Sequence, residues 1–282
     1  MATITAALVK ELREETGVGM MECKKALVQA DGDKAAAIKL LREHGVAVAA
    51  KKSARTAKQG IIAACVCPET KQAGTMIEVN CETDFVAKNE NFKAFVQDLL
   101  ADARGLADDT IAEACKDKIT QKVAEIGENI VARRNVSLKV QGTGVIVSYV
   151  HMGGKFGVLA EIGCTKPETV SAEAFNTLAA DIALQITAAA PICVSRAEVP
   201  ADLVAAETDI YRKQMIAEGK PEKIIEKIVG GKLDKYYSQV CLLEQEFVKD
   251  GDKTIQKVLD ETGKALGDTL SVVRFVRWQL GA

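Results

Sequence analysis

The chain has 282 residues and a formal net charge of -2, with 48% hydrophobic and 27% charged residues. This composition is typical of a globular protein that is large enough for two or more hydrophobic cores. Nucleic acid and anionic membranes both bind concentrated positive charge, so the near-neutral balance argues against either partner. Charged residues begin at Lys10, which is too early for the apolar region of a secretory signal peptide, and no apolar run is long enough to span a bilayer. Both observations predict a cytoplasmic protein.

The N-terminal segment has the pattern of three short helices, which predicts a bundle of residues 1–54. Thr5 can cap the first helix and Gly17 can end it, and Asp33 and Gly45 can do the same for the third. A bundle of this size is marginally stable alone, so we expect it to serve in recognition.

A first core unit, residues 55–141, is predicted as a three-stranded antiparallel sheet that is covered on one side by helices. Alternation of apolar and polar residues predicts the strands, and helical periodicity predicts the helices. The strands are expected at Ile61–Cys67, Thr75–Cys81 and Asn135–Val140, and the helices at Phe92–Ala103 and Ile111–Ile126.

The second of these strands leads into a polar segment that contains Phe85. Ile77, Val79 and Cys81 alternate with polar residues and form the buried face of the strand. The next apolar stripe begins only at Phe92, so Phe85 is expected on a short turn. Two interpretations stay open: the ring lies exposed as an anchor for another molecule, or it packs under the strand.

A second core unit is predicted from residues 142–198 and 238–282, again as an antiparallel sheet with helices. His151 lies on its first turn, and the sequence shows no nucleophile for it to activate, so a contact role or a plain turn is expected. Ser171 can cap the long helix that follows. The other elements are expected at Val145–Val150, Phe156–Cys164, Gln239–Leu243, Thr254–Asp260 and Leu270–Trp278.

Residues 199–237 have narrow apolar seams on otherwise charged helices, which predicts an antiparallel helical hairpin that projects from the second core unit. Pro200 and Pro221 suit the first turns of its two helices. The expected seam residues are Leu203, Ile210, Ala217, Ile225, Ile228, Val229 and Tyr236.

Eight cysteines are dispersed along the chain, and His44 and His151 are the only histidines. A zinc site therefore has few ligands to draw on, and reduced, mostly buried thiols are expected. Cys65 and Cys67 alone lie close together. A thiol-redox protein would use this pair, although its apolar setting argues against a reactive thiol.

Two segments closely resemble signatures of elongation factor Ts, the guanine-nucleotide exchange factor of translation elongation factor Tu. They are Leu12–Leu27, LREETGVGMMECKKAL, and Glu78–Lys88, EVNCETDFVAK. Gly127–Ile130 and Arg133–Arg134 resemble the same family. The resemblance implies an α+β fold with a ubiquitin-associated-like three-helix bundle, two antiparallel-sheet core subdomains with helices, and an inserted antiparallel helical hairpin, which mediates dimerisation in some members.

The resemblance also implies a function. The protein would bind GDP-bound and nucleotide-free elongation factor Tu, dislodge Mg²⁺, and promote release of GDP and its exchange for GTP. No covalent bond is made, so neither an enzyme nor a cofactor is expected. The residues implied to carry the exchange are Thr83, Asp84, Phe85 and Val86. Secondary partner contacts are implied at Arg13, Met20, Met21 and His151.

Two points stay open beside the resemblance. An adaptor or scaffold with a ubiquitin-associated-like bundle would explain residues 1–45, but it would leave the turn at Thr83–Val86 without a purpose. In the bundle, Met20 and Met21 either both lie on the contact surface, or one packs inward and only the other is exposed.

Overall fold

The computed structural model describes residues 4–282 and confirms the predicted α+β architecture of helices and antiparallel sheets. Residues 1–3 of the predicted bundle lie outside the described residues. The bundle consists of α1 (Ala6–Thr16), α2 (Met20–Gln29) and α3 (Lys34–Lys52). The Thr5 hydroxyl accepts a hydrogen bond from the Leu8 backbone N–H, and Asp33 caps α3 in the same way.

A first sheet of three antiparallel strands follows the bundle. Its strands, in their order across the sheet, are β1 (Gln59–Val66), β2 (Ala73–Cys81) and β3 (Ile130–Lys139). The helices between β2 and β3 are α4 (Asp84–Lys88), α5 (Glu90–Asp102), α6 (Ile111–Ala114) and α7 (Lys116–Ile126). Ile77 and Val79 of β2 share a buried cluster with Phe92 of α5, so helices cover one face of this sheet as predicted.

The rest of the chain forms a second sheet, a helical hairpin and short connecting elements. They are, in chain order, β4 (Gly144–His151), β5 (Phe156–Cys164), α8 (Glu173–Ala189), α9 (Ala201–Ala217), α10 (Glu222–Val240), β6 (Glu246–Phe247), β7 (Asp250–Thr254), α11 (Ile255–Leu266) and β8 (Leu270–Gln279). The second sheet has the antiparallel order β4, β5, β8. Phe175 of α8 and Leu259 of α11 are buried in its core.

The two sheets pack against each other through the faces that the helices leave free. Ile62 and Met76 of the first sheet form a buried cluster with Ile146 and Leu159 of the second. This approach requires Gly157 in β5, because a Cβ atom there would lie 2.4 Å from Ile62 Cγ2. The first sheet is therefore enclosed between helices and the second sheet.

The third helix does not end at Gly45, contrary to the prediction. α3 continues through this buried glycine to Lys52. A Cβ atom at Gly45 would lie 3.3 Å from the Cβ atom of Ala124 in α7. The glycine therefore allows two helices to approach closely, and it does not reverse the chain.

The predicted strand at 239–243 is also wrong. α10 runs on to Val240, and the next residue, Cys241, forms an isolated parallel bridge to Cys193. Both cysteines share a small buried cluster with Val199 at the base of the helical hairpin. The apolar residues that were predicted as a strand thus lie where the hairpin joins the second core unit.

Other predicted boundaries also differ from the structure. Ser171 does not cap α8, because it belongs to a preceding 3₁₀ turn and Ala172 occupies the cap position. The helix expected from Ile111 to Ile126 is divided at Cys115. The third strand of the first sheet begins at Ile130, directly opposite the end of β2.

The helical hairpin forms as predicted, but its seam uses different residues of α9. Tyr211 and Met215 of α9 pack with Ile225 and Val229 of α10. The prediction is wrong for Leu203, Ile210 and Ala217, which are exposed.

No helix within residues 4–282 combines the length and the apolar character needed to cross a membrane. The unit boundaries at residues 54, 141, 198 and 237 stay predictions.

Candidate functional site

The segment after β2 forms a capped turn that carries Phe85. Thr83 has extended backbone angles, and its hydroxyl accepts a hydrogen bond of 3.3 Å from the Val86 backbone N–H. This is the N-cap arrangement that a threonine favours. The helix that it starts, α4, has only five residues, so Phe85 lies on a single helical turn between the strand and α5.

The side chain of Phe85 points away from the protein. It is 82% exposed, whereas Val86 is half-buried and Ala87 is buried against the first core. The interpretation in which the ring packs under the strand is therefore wrong. Large exposed aromatic rings serve as anchors at protein interfaces, and the role of this turn in binding a partner stays a prediction.

Asp84 lies beside the ring and is paired with a lysine. Its carboxylate accepts a hydrogen bond of 2.7 Å from Lys88 Nζ, one helical turn away. This hydrogen bond, together with the lysine's charge, lowers the pKa of Asp84. The turn thus presents an apolar ring beside a charged pair.

A second segment, between α7 and β3, supports the turn from behind. The Glu128 carboxylate accepts hydrogen bonds from the Thr83 backbone N–H and from the Thr83 hydroxyl, at 3.0 and 2.6 Å. In return, the Glu82 carboxylate accepts a hydrogen bond of 2.7 Å from the Asn129 backbone N–H. That bond lowers the pKa of Glu82. Each segment therefore satisfies a backbone donor of the other.

Glu128 is a residue of this site that the sequence does not predict. It belongs to Gly127–Ile130, a segment that resembles the family but to which the resemblance assigns no role. A glutamate directly after a glycine that ends a helix is a weak signal, because its partner lies on another loop. The contact with Thr83 is visible only in the folded chain.

The predicted secondary contacts lie on two other parts of the molecule. Met20 and Met21, at the start of α2, are 49% and 65% exposed, so the interpretation in which one packs inward is wrong. Arg13 lies exposed on α1. His151 is the last residue of β4 and exposed, and its Nδ1 atom lies 3.1 Å from the Tyr149 hydroxyl. Their role in partner binding stays a prediction.

Six of the eight cysteines are buried, and the other two, Cys65 and Cys67, are the pair that a thiol-redox protein would use. Cys65 and Cys67 are half-buried, and the Cys67 thiol donates a hydrogen bond of 3.2 Å to Glu69. Burial raises the pKa of the Cys81 thiol to about 12, and the negative charge of Glu128 adds to the effect. Within the described part of the chain, no three histidine, cysteine, aspartate or glutamate residues are grouped to hold a metal ion.

Comparison with known proteins assigns the family. A family model described as Elongation factor TS matches residues 82–282. Three curated relatives named Elongation factor Ts each align with 99% of this chain and 93% of their own length. The relative from Clostridium botulinum is 46% identical, that from Clostridium perfringens 44%, and that from Trichlorobacter lovleyi 43%. The matches identify translation elongation factors as the class, and the chain belongs to the elongation factor Ts family.

Proposed function

We propose that this protein binds GDP-bound elongation factor Tu, dislodges the bound Mg²⁺ and accelerates the release of GDP, so that GTP can enter. Membership of the elongation factor Ts family supports the partner, and the cytoplasm is the proposed compartment. The single observation that carries the mechanism is the outward Phe85 ring, 82% exposed on a capped turn. An adaptor role for the N-terminal bundle leaves this turn unexplained.

Phe85 acts as a wedge in this mechanism. Its ring is in water in the free protein, and burial in an apolar pocket of the partner would stabilise the complex by roughly 2–3 kcal/mol. That energy is available to hold the partner in a conformation with a disturbed nucleotide site. Thr83 and Val86 determine the direction of the ring, because their hydrogen bond starts the turn.

Asp84 supplies charge beside the wedge. Its pair with Lys88 is exposed to solvent, and exposed pairs contribute little to stability, so the carboxylate can exchange partners at little cost. In the complex it anchors the turn and alters the surroundings of the Mg²⁺ ion and the phosphates. Loss of the ion removes a principal attraction for the diphosphate, and GDP leaves faster.

The reaction cycle follows from thermodynamic reciprocity. If the factor weakens nucleotide binding, then nucleotide weakens factor binding by the same ratio. Entry of GTP therefore releases the factor for another round. No covalent bond is made or broken, so the protein acts as an exchange factor and uses no cofactor.

The remaining contacts in this proposal are secondary. Met20, Met21 and Arg13 are exposed on the N-terminal bundle, and His151 is exposed at the end of β4. The helical hairpin is proposed as the site of a homodimer, because Leu203 and Ile210 of α9 are 39% and 45% exposed outside its internal seam. Sedimentation velocity tests this, and a single species with the mass of one chain at high concentration contradicts it.

The proposed function is tested by the release of a fluorescent GDP analogue from elongation factor Tu, followed by stopped-flow fluorescence. We expect the rate to increase with the concentration of this protein and then to saturate. An unrelated GTPase loaded with the same analogue is the control and should show no acceleration. An unchanged rate for elongation factor Tu at high factor concentration contradicts the proposal.

A further inference from the structure

We propose that Glu128 is the positioning residue that holds the Phe85 turn in its outward conformation. This inference rests on the proposed exchange function, which it deepens by naming the group that prepares the wedge. Glu128 does not itself contact the partner in this proposal. It holds Thr83, and Phe85 makes the contact with the partner.

The contact between Glu128 and Thr83 fixes two degrees of freedom at once. One carboxylate oxygen accepts from the Thr83 backbone N–H at 3.0 Å, and the other accepts from the Thr83 hydroxyl at 2.6 Å. The first bond holds the backbone where β2 ends, and the second selects the rotamer of the side chain. Hydrogen bonds to a carboxylate are shorter and stronger than those between neutral groups.

The selected rotamer is the one that starts α4. The Thr83 hydroxyl has a single hydrogen, and it is donated to Glu128. Its oxygen lone pairs are therefore left to accept from the Val86 backbone N–H, at 3.3 Å. An isolated helix of five residues is unstable in water, so α4 depends on its cap and on its packing. A carboxylate on another segment thus controls the start of the helix that carries Phe85.

The supporting segment is itself firmly held. Cys81 and Ile130 are partners in the ladder between β2 and β3, so the two segments leave the sheet side by side. The Asn129 backbone N–H donates to Glu82, and the Asn129 side-chain amide donates to the Arg55 carbonyl at 2.7 Å. Glu128 is therefore connected to the sheet on one side and to the segment after α3 on the other.

Phe85 needs such support because its ring packs against few other residues of the protein. Phe85 is 82% exposed, so intramolecular contacts of the ring contribute little to its direction. The direction is instead set by the backbone of the turn. A group held in its bound conformation binds better, since less conformational entropy is lost on association. Loss of the Glu128 contact should let the turn sample other conformations and slow the exchange reaction.

The test combines Glu128→Ala with Phe85→Ala in a double-mutant cycle, read as the rate of GDP release from elongation factor Tu at saturating factor. Loss of hydrogen bonds to a charged group predicts that Glu128→Ala slows release about tenfold or more. Glu128→Gln should retain most of the rate, because its amide oxygen still accepts from the Thr83 N–H. Without the wedge there is nothing to position, so the double variant should be no slower than Phe85→Ala.

Asp268→Ala is the matched control. Its carboxylate also accepts from backbone N–H groups, those of Thr165, Lys166 and Thr269, and from the hydroxyls of Thr165 and Thr169, but it lies in the second core unit. We expect this variant to lose thermal stability and to keep the saturating release rate. If removal of any carboxylate that holds a loop slowed release, both variants would be slow, and this result would contradict a specific role for Glu128.

An unchanged rate for Glu128→Ala, or slowing that adds fully to that of Phe85→Ala, would overturn the inference. If circular dichroism shows that Glu128→Ala does not fold, Thr83→Val takes its place, since it keeps the branched shape and removes the hydroxyl that links Glu128 to Val86. The same slowing and the same lack of additivity are expected. Failure of the wild-type protein to accelerate release counts instead against the proposed function.

Discussion

Asp84 and Lys88 form an ion pair of 2.7 Å across one turn of α4, directly beside the exposed ring of Phe85. The lysine donates a hydrogen bond to the carboxylate in the free protein, and this bond lowers the pKa of Asp84. Charge and apolar surface are therefore presented together, on a turn whose inner residue, Ala87, is buried. This arrangement leaves the ring free for a partner without leaving an unpaired charge next to it.

Phe85→Ala should slow the factor-stimulated release of GDP. Truncation of an aromatic anchor costs about 2 kcal/mol or more, which corresponds to about a 30-fold decrease in rate. The side chain is 82% exposed, so the fold and its thermal stability should be unchanged. Stopped-flow fluorescence with labelled GDP measures the rate, and circular dichroism measures the stability.

The control for this variant is Val248→Ala. Val248 is also an exposed apolar residue, at 47%, and it lies between β6 and β7 in the second core unit. Its removal should leave GDP release at the wild-type rate. A Phe85→Ala protein that is fully active would contradict the role of the ring as a wedge.

A second prediction concerns the contact between the two sheets. Gly157→Val should destabilise the protein, because a Cβ atom at this position would lie 2.4 Å from Ile62 Cγ2 and 2.8 Å from Met76 Sδ. Overpacking of a core in this way costs typically about 1–3 kcal/mol. Urea denaturation measures the free energy of unfolding. Gly251→Val is the matched control, since no atom lies within 4 Å of its Cβ position, and an equal loss in both variants would contradict the prediction.

The Phe85 turn shows which features of the site can be predicted from neighbouring residues in the sequence. The alternation that ends at Cys81 and the stripe that begins at Phe92 predict a strand end and an isolated aromatic, because both depend on residues that are close in sequence. The role of Glu128 was not predicted, because its partner Thr83 lies 45 positions away in the sequence. Nothing in its own segment indicates which loop it faces.

The errors in the fold have the same origin. A glycine after a helical run favours a helix end, but α3 continues through Gly45, where a Cβ atom would lie only 3.3 Å from Ala124 in a distant helix. In the hairpin, Ile210 and Tyr211 each belong to an apolar row at helical spacing. Only the position of α10 decides that the row of Tyr211 and Met215 is buried. Local pattern thus predicts the elements, and tertiary contacts select among their faces.

A third prediction follows from the carboxylate of Asp268. Burial alone would raise its pKa, but hydrogen bonds from the Thr165 and Thr169 hydroxyls outweigh burial and hold the pKa well below its ordinary value of 3.8. A depressed pKa in the folded state stabilises the protein fully above the ordinary pKa, and this contribution is lost as the pH falls below it. Asp268→Ala should therefore lower Tm at pH 7.

The same reasoning gives the pH dependence. The difference in Tm between wild type and Asp268→Ala should be largest at neutral pH and should shrink progressively below about pH 4. Differential scanning calorimetry at a series of pH values measures it. A difference that is constant down to strongly acidic pH would show that the loss comes from packing and not from the ionised carboxylate.

A fourth prediction concerns the thiols. Burial raises the pKa of Cys81 and of Cys241 to about 12, so almost no reactive thiolate is present at pH 8. Cys65 and Cys67 are half-buried and should be alkylated first, with mass spectrometry identifying the sites. In denaturant all eight cysteines should react together. Rapid alkylation of Cys81 or Cys241 in the native protein would contradict the burial that the structure shows.

The last prediction tests the surface of the N-terminal bundle. Replacement of Met20 and Met21 by alanine should weaken binding to elongation factor Tu, because the two side chains, 49% and 65% exposed, form an adaptable apolar surface at the start of α2. Loss of one or two apolar contacts of this kind typically raises Kd by about tenfold, measured by isothermal titration calorimetry with the nucleotide-free partner. Val46→Ala in α3, where the side chain is 59% exposed, is the control and should bind normally. If the double variant keeps its helix content and its affinity, the result contradicts a partner contact at Met20 and Met21.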